Sequence, residues 1–154
     1  MNILAIQSSG NSTSLCVILK NDVLQYSIDH GRKDRPNWLE MLAHIGLDSF
    51  FLISDIDIFA YANDESSYTA TRSVASFLKG ISSALKKPLV VIDVDQVNDI
   101  KSDLIAKKAL KKFIDSAMEV DLFEPKDANP TYAAKTQYKK INEWFNFEFY
   151  IRPY

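Results

Sequence analysis

At 154 residues the chain is long enough for one domain with a full apolar core, and it needs neither disulfides nor metals to hold it together. Apolar residues make up 47% and charged residues 25%, the balance of an ordinary globular protein. A net charge of −2 and a pI near 5.7 give no overall attraction to nucleic acid, and a lone cysteine, Cys16, excludes a disulfide scaffold and any cysteine-based zinc site.

The N-terminus, MNILAIQSSG, enters a strand pattern at once and lacks the basic and apolar regions of a signal peptide. NILAIQSS is nearly continuous in apolar character, which predicts a central strand covered on both faces. SGNSTS reads as a turn. LCVILK and VLQYSID follow as two strands joined at Asn21-Asp22, a tight hairpin pair, and Cys16 in the first of them reads as a small buried hydrophobe. After the polar HGRKDR, Pro36 suits a helix start. NWLEMLAHIG then carries Trp38, Leu42 and Ile45 at helical spacing, with Gly46 as the C-terminal cap.

IDIFAYA is a fourth strand. Residues 67–86 predict a helix with Val74, Phe77, Leu78, Ile81 and Leu85 on one side, ended by Lys86, Lys87 and Pro88. LVVIDV is a fifth, β-branched strand, and SDLIAKKALKKFIDSAM a further amphipathic helix. EVDLFEPKDANP is loop-like, TYAAKTQYKKINEWF is compatible with a helix, and FEFYIRPY with a short aromatic strand. No apolar run approaches the roughly 18 residues of a membrane span, so the expected location is the cytoplasm, away from membranes.

The order β-β-β-α-β-α-β-α implies a mixed sheet: a three-stranded antiparallel meander plus parallel strands, with flanking helices. That is the order of α/β domains of the ribonuclease-H-like and actin-like ATPase class. Residues 1–95 are expected to form the N-terminal lobe. Residues 96–154 are expected to form a reduced, truncated second lobe and tail that do not fold independently.

A ribonuclease H-type nuclease needs converging carboxylates, one of them from the first strand, to hold paired divalent metals. Here Gln7 occupies that strand end, leaving Asp57, Asp93 and Asp95 as replacements, which also read as strand ends and a helix cap. A phosphotransferase of the actin-like class needs a first-strand aspartate and a glycine-rich phosphate hairpin. QSSGNSTS keeps one glycine among hydroxyls and reads more simply as a polar turn. His30 and His44 show no local serine or aspartate partner and read as surface residues. Lys101, Lys107, Lys108, Lys111 and Lys112 are interspersed with Asp103 and Asp115 and read as a solvated helix face.

The motifs ILAIQSS and AYANDESSYTATR carry a resemblance to the TsaB (YeaZ) family. Its members open on a strand like ILAIDTS and bear a G-x-G-P-G-S-F-T-G-x-R signature after an AYG-like strand end. Ala60, Tyr61 and Ala62 match that strand end. Ser67, Tyr68, Thr69 and Arg72 match the Ser, Phe, Thr and Arg, while Ala62, Asp64, Glu65, Ser66 and Ala70 replace the glycines and proline. ANPTYAAKTQYKK is similar to the family's closing P-x-Y segment and basic tail.

The resemblance implies an actin-like fold without catalysis, without a cofactor or metal. It implies a partner subunit in making threonylcarbamoyladenosine on tRNA, touching the tRNA only indirectly. The implied partners are a TsaD-type paralogue, which performs the transfer, and a TsaE-type ATPase, with a homodimer in isolation. In the family the first two helices make the contact, here residues 37–46 and 68–86. The implied interface is therefore Trp38, Leu42, Ile45, Val74, Phe77, Leu78, Gly80, Ile81 and Leu85.

Asp64 and Glu65 fit that reading. Adjacent carboxylates repel a phosphate, whereas negative side chains suit a helix N-terminus. Two other readings stay open: an interaction module that has left tRNA modification, and a small nucleotide-dependent phosphotransferase or hydrolase.

Overall fold

The structure, a computed structural model, describes residues 1–65, 67–94 and 101–131. Asp95, the expected helix beyond Thr131 and the aromatic strand FEFYIRPY lie outside the described residues.

The elements follow the expected order: β1 (Ile3–Ser8), β2 (Ser12–Leu19), β3 (Asp22–Asp29), α1 (Trp38–His44), β4 (Ile58–Asn63), α2 (Tyr68–Leu85), β5 (Leu89–Asp93) and α3 (Ser102–Asp115). They build a five-stranded sheet in the order β3-β2-β1-β4-β5. β1–β2 and β2–β3 pair antiparallel, and β1–β4 and β4–β5 pair parallel.

The near-continuous apolar character of β1 and β4 follows from their position, since every residue of both is buried. Alternate side chains feed two cores. Leu4, Ile6, Phe59 and Tyr61 pack with α1 and α2, whereas Ile3, Ala5, Ile58 and Ala60 pack with α3. β3 lies at the sheet's edge and is only half covered. α3, expected beyond the 1–95 lobe, buries Ile105, Ala106, Ala109 and Phe113 against that lobe's own sheet. The apolar stripe of α3 needs a surface, and the second face of the sheet is the large apolar surface left uncovered by α1 and α2.

Local chemistry sets the boundaries. The β2–β3 turn is Lys20-Asn21, one residue earlier than expected, because Leu19 pairs with Asp22 and Lys20 takes φ +55°. Asn37 caps α1 by accepting from the Glu40 amide at 3.2 Å, so the helix starts at Trp38, two residues after Pro36. Gly46 ends α1 as expected, at φ +104°, with Leu47 N–H donating to the Leu42 carbonyl and Gly46 N–H to that of Ala43. No helix among the described residues is long and apolar enough to cross a membrane.

Cys16 is buried on the α3 face, as its apolar run predicts. Burial first, and the nearby Asp103 carboxylate second, push its thiol up from the ordinary 9.0 to about 11. The folded protein thus holds the thiol proton more tightly than the unfolded chain does. The resulting stabilisation is complete below about pH 9 and is lost as the pH rises to about 11. Urea unfolding at several pH values should show an alkaline loss on the order of 2–3 kcal/mol that Cys16→Ala lacks.

Candidate functional site

β1 and β4 run parallel, so their C-terminal ends open on one edge of the sheet. There the β1–β2 turn, the loop after β3, the start of α1 and the first half of α2 enclose an open cleft of about 1440 Å³. The turn contributes Ser8, Ser9 and Ser12, the loop His30, Arg32, Lys33 and Arg35, and the opposite wall Asp64, Ser67, Tyr68 and Arg72.

The turn is closed on itself. The Ser9 hydroxyl accepts from the amides of Asn11 (3.3 Å) and Ser12 (3.2 Å), and the Ser9 amide donates to the Ser12 carbonyl (2.8 Å). Two of the amides that a phosphate hairpin would turn toward an anion are therefore taken by the turn's own side chain. Gln7, buried beside this turn, supplies no carboxylate for a metal.

His30 is not the isolated surface residue expected from sequence. Its Nδ1 lies 3.0 Å from the Gly31 carbonyl, which only accepts, so Nδ1 carries the proton in the neutral ring. Nε2 then accepts from the Thr13 hydroxyl at 2.8 Å, and Thr13 Oγ1 accepts from Ser8 at 2.6 Å. The β2–β3 register creates this chain, because Ser12 opposite Asp29 brings His30 beside Asn11.

The four signature matches, Ser67, Tyr68, Thr69 and Arg72, come together on the cleft wall where β4 passes into α2. Arg72 donates to the Tyr68 hydroxyl at 2.9 Å, and its guanidinium lies 5.3 Å from the centre of the Tyr68 ring. Asp64 and Glu65 precede the helix, whose N-cap, Ser67, makes no side-chain cap bond. It is the backbone carbonyl of Asp64 that accepts here, from the Ser67 amide and the Thr71 hydroxyl, both at 3.1 Å.

Of the carboxylates considered for a metal, Asp57 and Asp93 do not converge. Asp57 stands before the N-terminal end of β4, where it accepts from the Asn2 amide at 2.8 Å and faces Lys87 at 3.6 Å. Asp93 stands at the C-terminal end of the parallel neighbour β5, where its carboxylate accepts from Asn63 at 3.1 Å. Among the described residues no group of three or more His, Cys, Asp and Glu side chains could hold a metal. Asn63 also bonds Thr131, through both its amide nitrogen and, at 3.1 Å, its oxygen. Tyr61 donates to the Ala128 carbonyl at 2.9 Å, and Lys79 bonds Asn129. Residues 128–131 are thereby strapped across β4 and α2, an arrangement with no local signal in sequence.

The residues of the implied interface divide. Leu42, Ile45, Val74 and Leu78 are buried in the core between the sheet and the helices, so in this packed state they cannot present a surface. Trp38, Phe77, Ile81 and Leu85 are half-buried on its margin, Trp38 stacking on Phe77 at 5.6 Å. Gly80 is exposed, and nothing lies within 4 Å of where a Cβ would stand. Sequence patterning missed Leu39, Phe50 and Leu52, which are the exposed apolar side chains on and after α1.

No family model matches the chain, and no curated protein matches it. Among solved structures it is similar to YeaZ from Pseudomonas aeruginosa, at 18% identity and a TM-score of 0.55, over 60% of this chain and 43% of that one. A structure described as an uncharacterized protein with similarity to peptidase YEAZ from Pseudomonas aeruginosa gives the same values. The match spans less than half the length of those chains, and the likeness at this identity is one of fold. It is the YeaZ-like fold that the resemblance implied, with its mixed five-stranded sheet and flanking helices.

Proposed function

We propose that the chain is a non-catalytic partner subunit of the TsaB type, which binds a TsaD-type enzyme and supports threonylcarbamoyladenosine formation on tRNA. The observation that carries this reading is a YeaZ-like fold whose β1–β2 turn is closed on itself and whose first strand carries Gln7 next to its last residue. Such a scaffold keeps the shape of a phosphotransferase lobe without the groups that would grip a phosphate and its metal.

The partner docks on the outer side of α2 and the margin of α1. Gly80, Ser83 and Ala84 are exposed along the second half of α2, with Phe77 and Ile81 half-buried at their edge. Small residues there let another helix come close, and Trp38, Leu39 and Phe50 supply apolar contact beside it. A TsaE-type ATPase joins through the assembled pair, and a homodimer forms through the same face when the partner is absent.

A reading as an interaction module that has left tRNA modification draws on the loss of the signature glycines at Ala62, Asp64, Ser66 and Ala70 and of the signature proline at Glu65. Expression in a strain depleted of its own TsaB separates the two, with the modified nucleoside quantified in hydrolysed tRNA. Restored nucleoside supports the scaffold. Stable expression without restoration favours the departed module.

A further inference from the structure

The geometry points to a second role for the cleft: it is a groove for the phosphate backbone of a single-stranded nucleic acid, held by side-chain cations rather than by the β1–β2 turn. The charge on its walls is opposite to that of the chain. The whole protein carries −2, yet the groove presents Arg32, Lys33, Arg35, Arg72 and Lys79 against the carboxylates Asp34 and Asp64. Asp34 accepts from the Gly31 amide at 2.8 Å. Among the described residues, Arg32, Lys33 and Arg35 make no ion pair. Cations that outnumber the carboxylates on one concave face mark an anion-binding surface.

The shape selects a strand over a compact anion. The cleft adjoins a second cavity of about 380 Å³, and both are walled by Tyr68, Arg72 and Ser76, so together they run along the flank of α2 that meets Asn129 and Pro130. From Tyr68 to Lys79 the helix alone rises about 17 Å. Cations therefore follow a track, from the loop after β3 through Arg72 to Lys79, instead of meeting at a point. Midway stands the Tyr68–Arg72 pair, a ring and a guanidinium plane of the kind on which unpaired bases stack, with Tyr68 49% exposed. The Arg32 side chain lies over Gly10, within 3.4 Å of the place a Cβ would take, and so fixes one end of the track to the β1–β2 turn.

The inference does not rest on the scaffold reading, and its test uses no partner protein. The intact chain is titrated into a fluorescently labelled single-stranded RNA of about 15 nucleotides, with anisotropy read at several salt concentrations. ATP and pyrophosphate are titrated separately by calorimetry. The expected result is RNA binding that weakens steeply with salt. Arg32→Ala/Arg35→Ala should flatten the slope of log affinity against log salt by about 1.4, at roughly 0.7 per phosphate contact. Arg72→Glu should weaken binding at least tenfold, with the circular dichroism spectrum unchanged.

Lys108→Glu/Lys111→Glu, on the exposed face of α3, should leave the affinity as it was. The proposal is overturned if the RNA fails to bind at low salt. It is overturned equally if only the α3 changes weaken binding. Binding of ATP or pyrophosphate tighter than that of the RNA would replace the strand groove by a nucleotide site.

Discussion

Glutamate at Leu78 unfolds the protein, whereas glutamate at Gly80 leaves it folded: that is the expected outcome for two changes of the same kind, two residues apart on α2. Successive α-helical residues are separated by about 100°, so the two side chains leave opposite sides of the helix. Leu78 is 0% exposed within the core shared by the sheet, α1 and α2. Removing it costs about 2–5 kcal/mol in lost packing, and a buried carboxylate adds several more. The total is comparable with the whole stability of a domain, about 5–15 kcal/mol. At Gly80 a side chain enters open space, and any residue with a Cβ relieves roughly 0.5–1 kcal/mol of glycine's helix penalty. Thermal melts followed by circular dichroism decide it. A cooperative transition for Leu78→Glu near that of the parent would show that this helix side is not core.

The second large effect concerns the strap. Tyr61→Phe/Asn63→Ala together remove the hydroxyl that donates to the Ala128 carbonyl and the amide that joins Asp93 to Thr131. The Ala128 carbonyl is left buried without that donor, at about 1–3 kcal/mol, and the partly buried Asn63 bonds add about 1 kcal/mol. The bonds of Lys79 to Asn129 and the Lys126 carbonyl, and the packing of Ala128 in the core, are then what remains to hold the segment. Amide exchange in residues 128–131 is expected to rise toward that of an open chain while β1 and β4 stay protected. Unchanged exchange there would mean that the strap is held by something other than these two side chains.

These two predictions touch the part of the molecule that sequence rendered well and the part that it did not. Strand and helix order was legible because β1 and β4 are buried on both faces and α2 on one, and each burial state prints its own period on the chain. The end of α1 was legible because the left-handed turn there favours glycine, and Gly46 provides it. Contacts set by register were not legible. Moving the β2–β3 turn by one residue to Lys20-Asn21 fixes which residue meets His30, and the Ser8–Thr13–His30 chain follows only from that.

The helix faces show the same limit. An apolar stripe says that a face is buried but not what buries it, so Leu42, Ile45, Val74 and Leu78 read equally as interface or as core until the sheet is in place. The strap at 128–131 joins residues 67 and 68 positions apart, and no local pattern announces such a contact.

The central claim, that the outer face of α2 is covered by a TsaD-type enzyme, is tested most directly by mass. The purified chain is mixed with the TsaD-type protein from the same genome and passed through size-exclusion chromatography with light scattering. A one-to-one complex with the parent chain, lost with Gly80→Glu while that variant still melts as a folded protein, is the predicted result. A chain that elutes apart from the enzyme, or a Gly80→Glu complex as stable as the parent's, would contradict it.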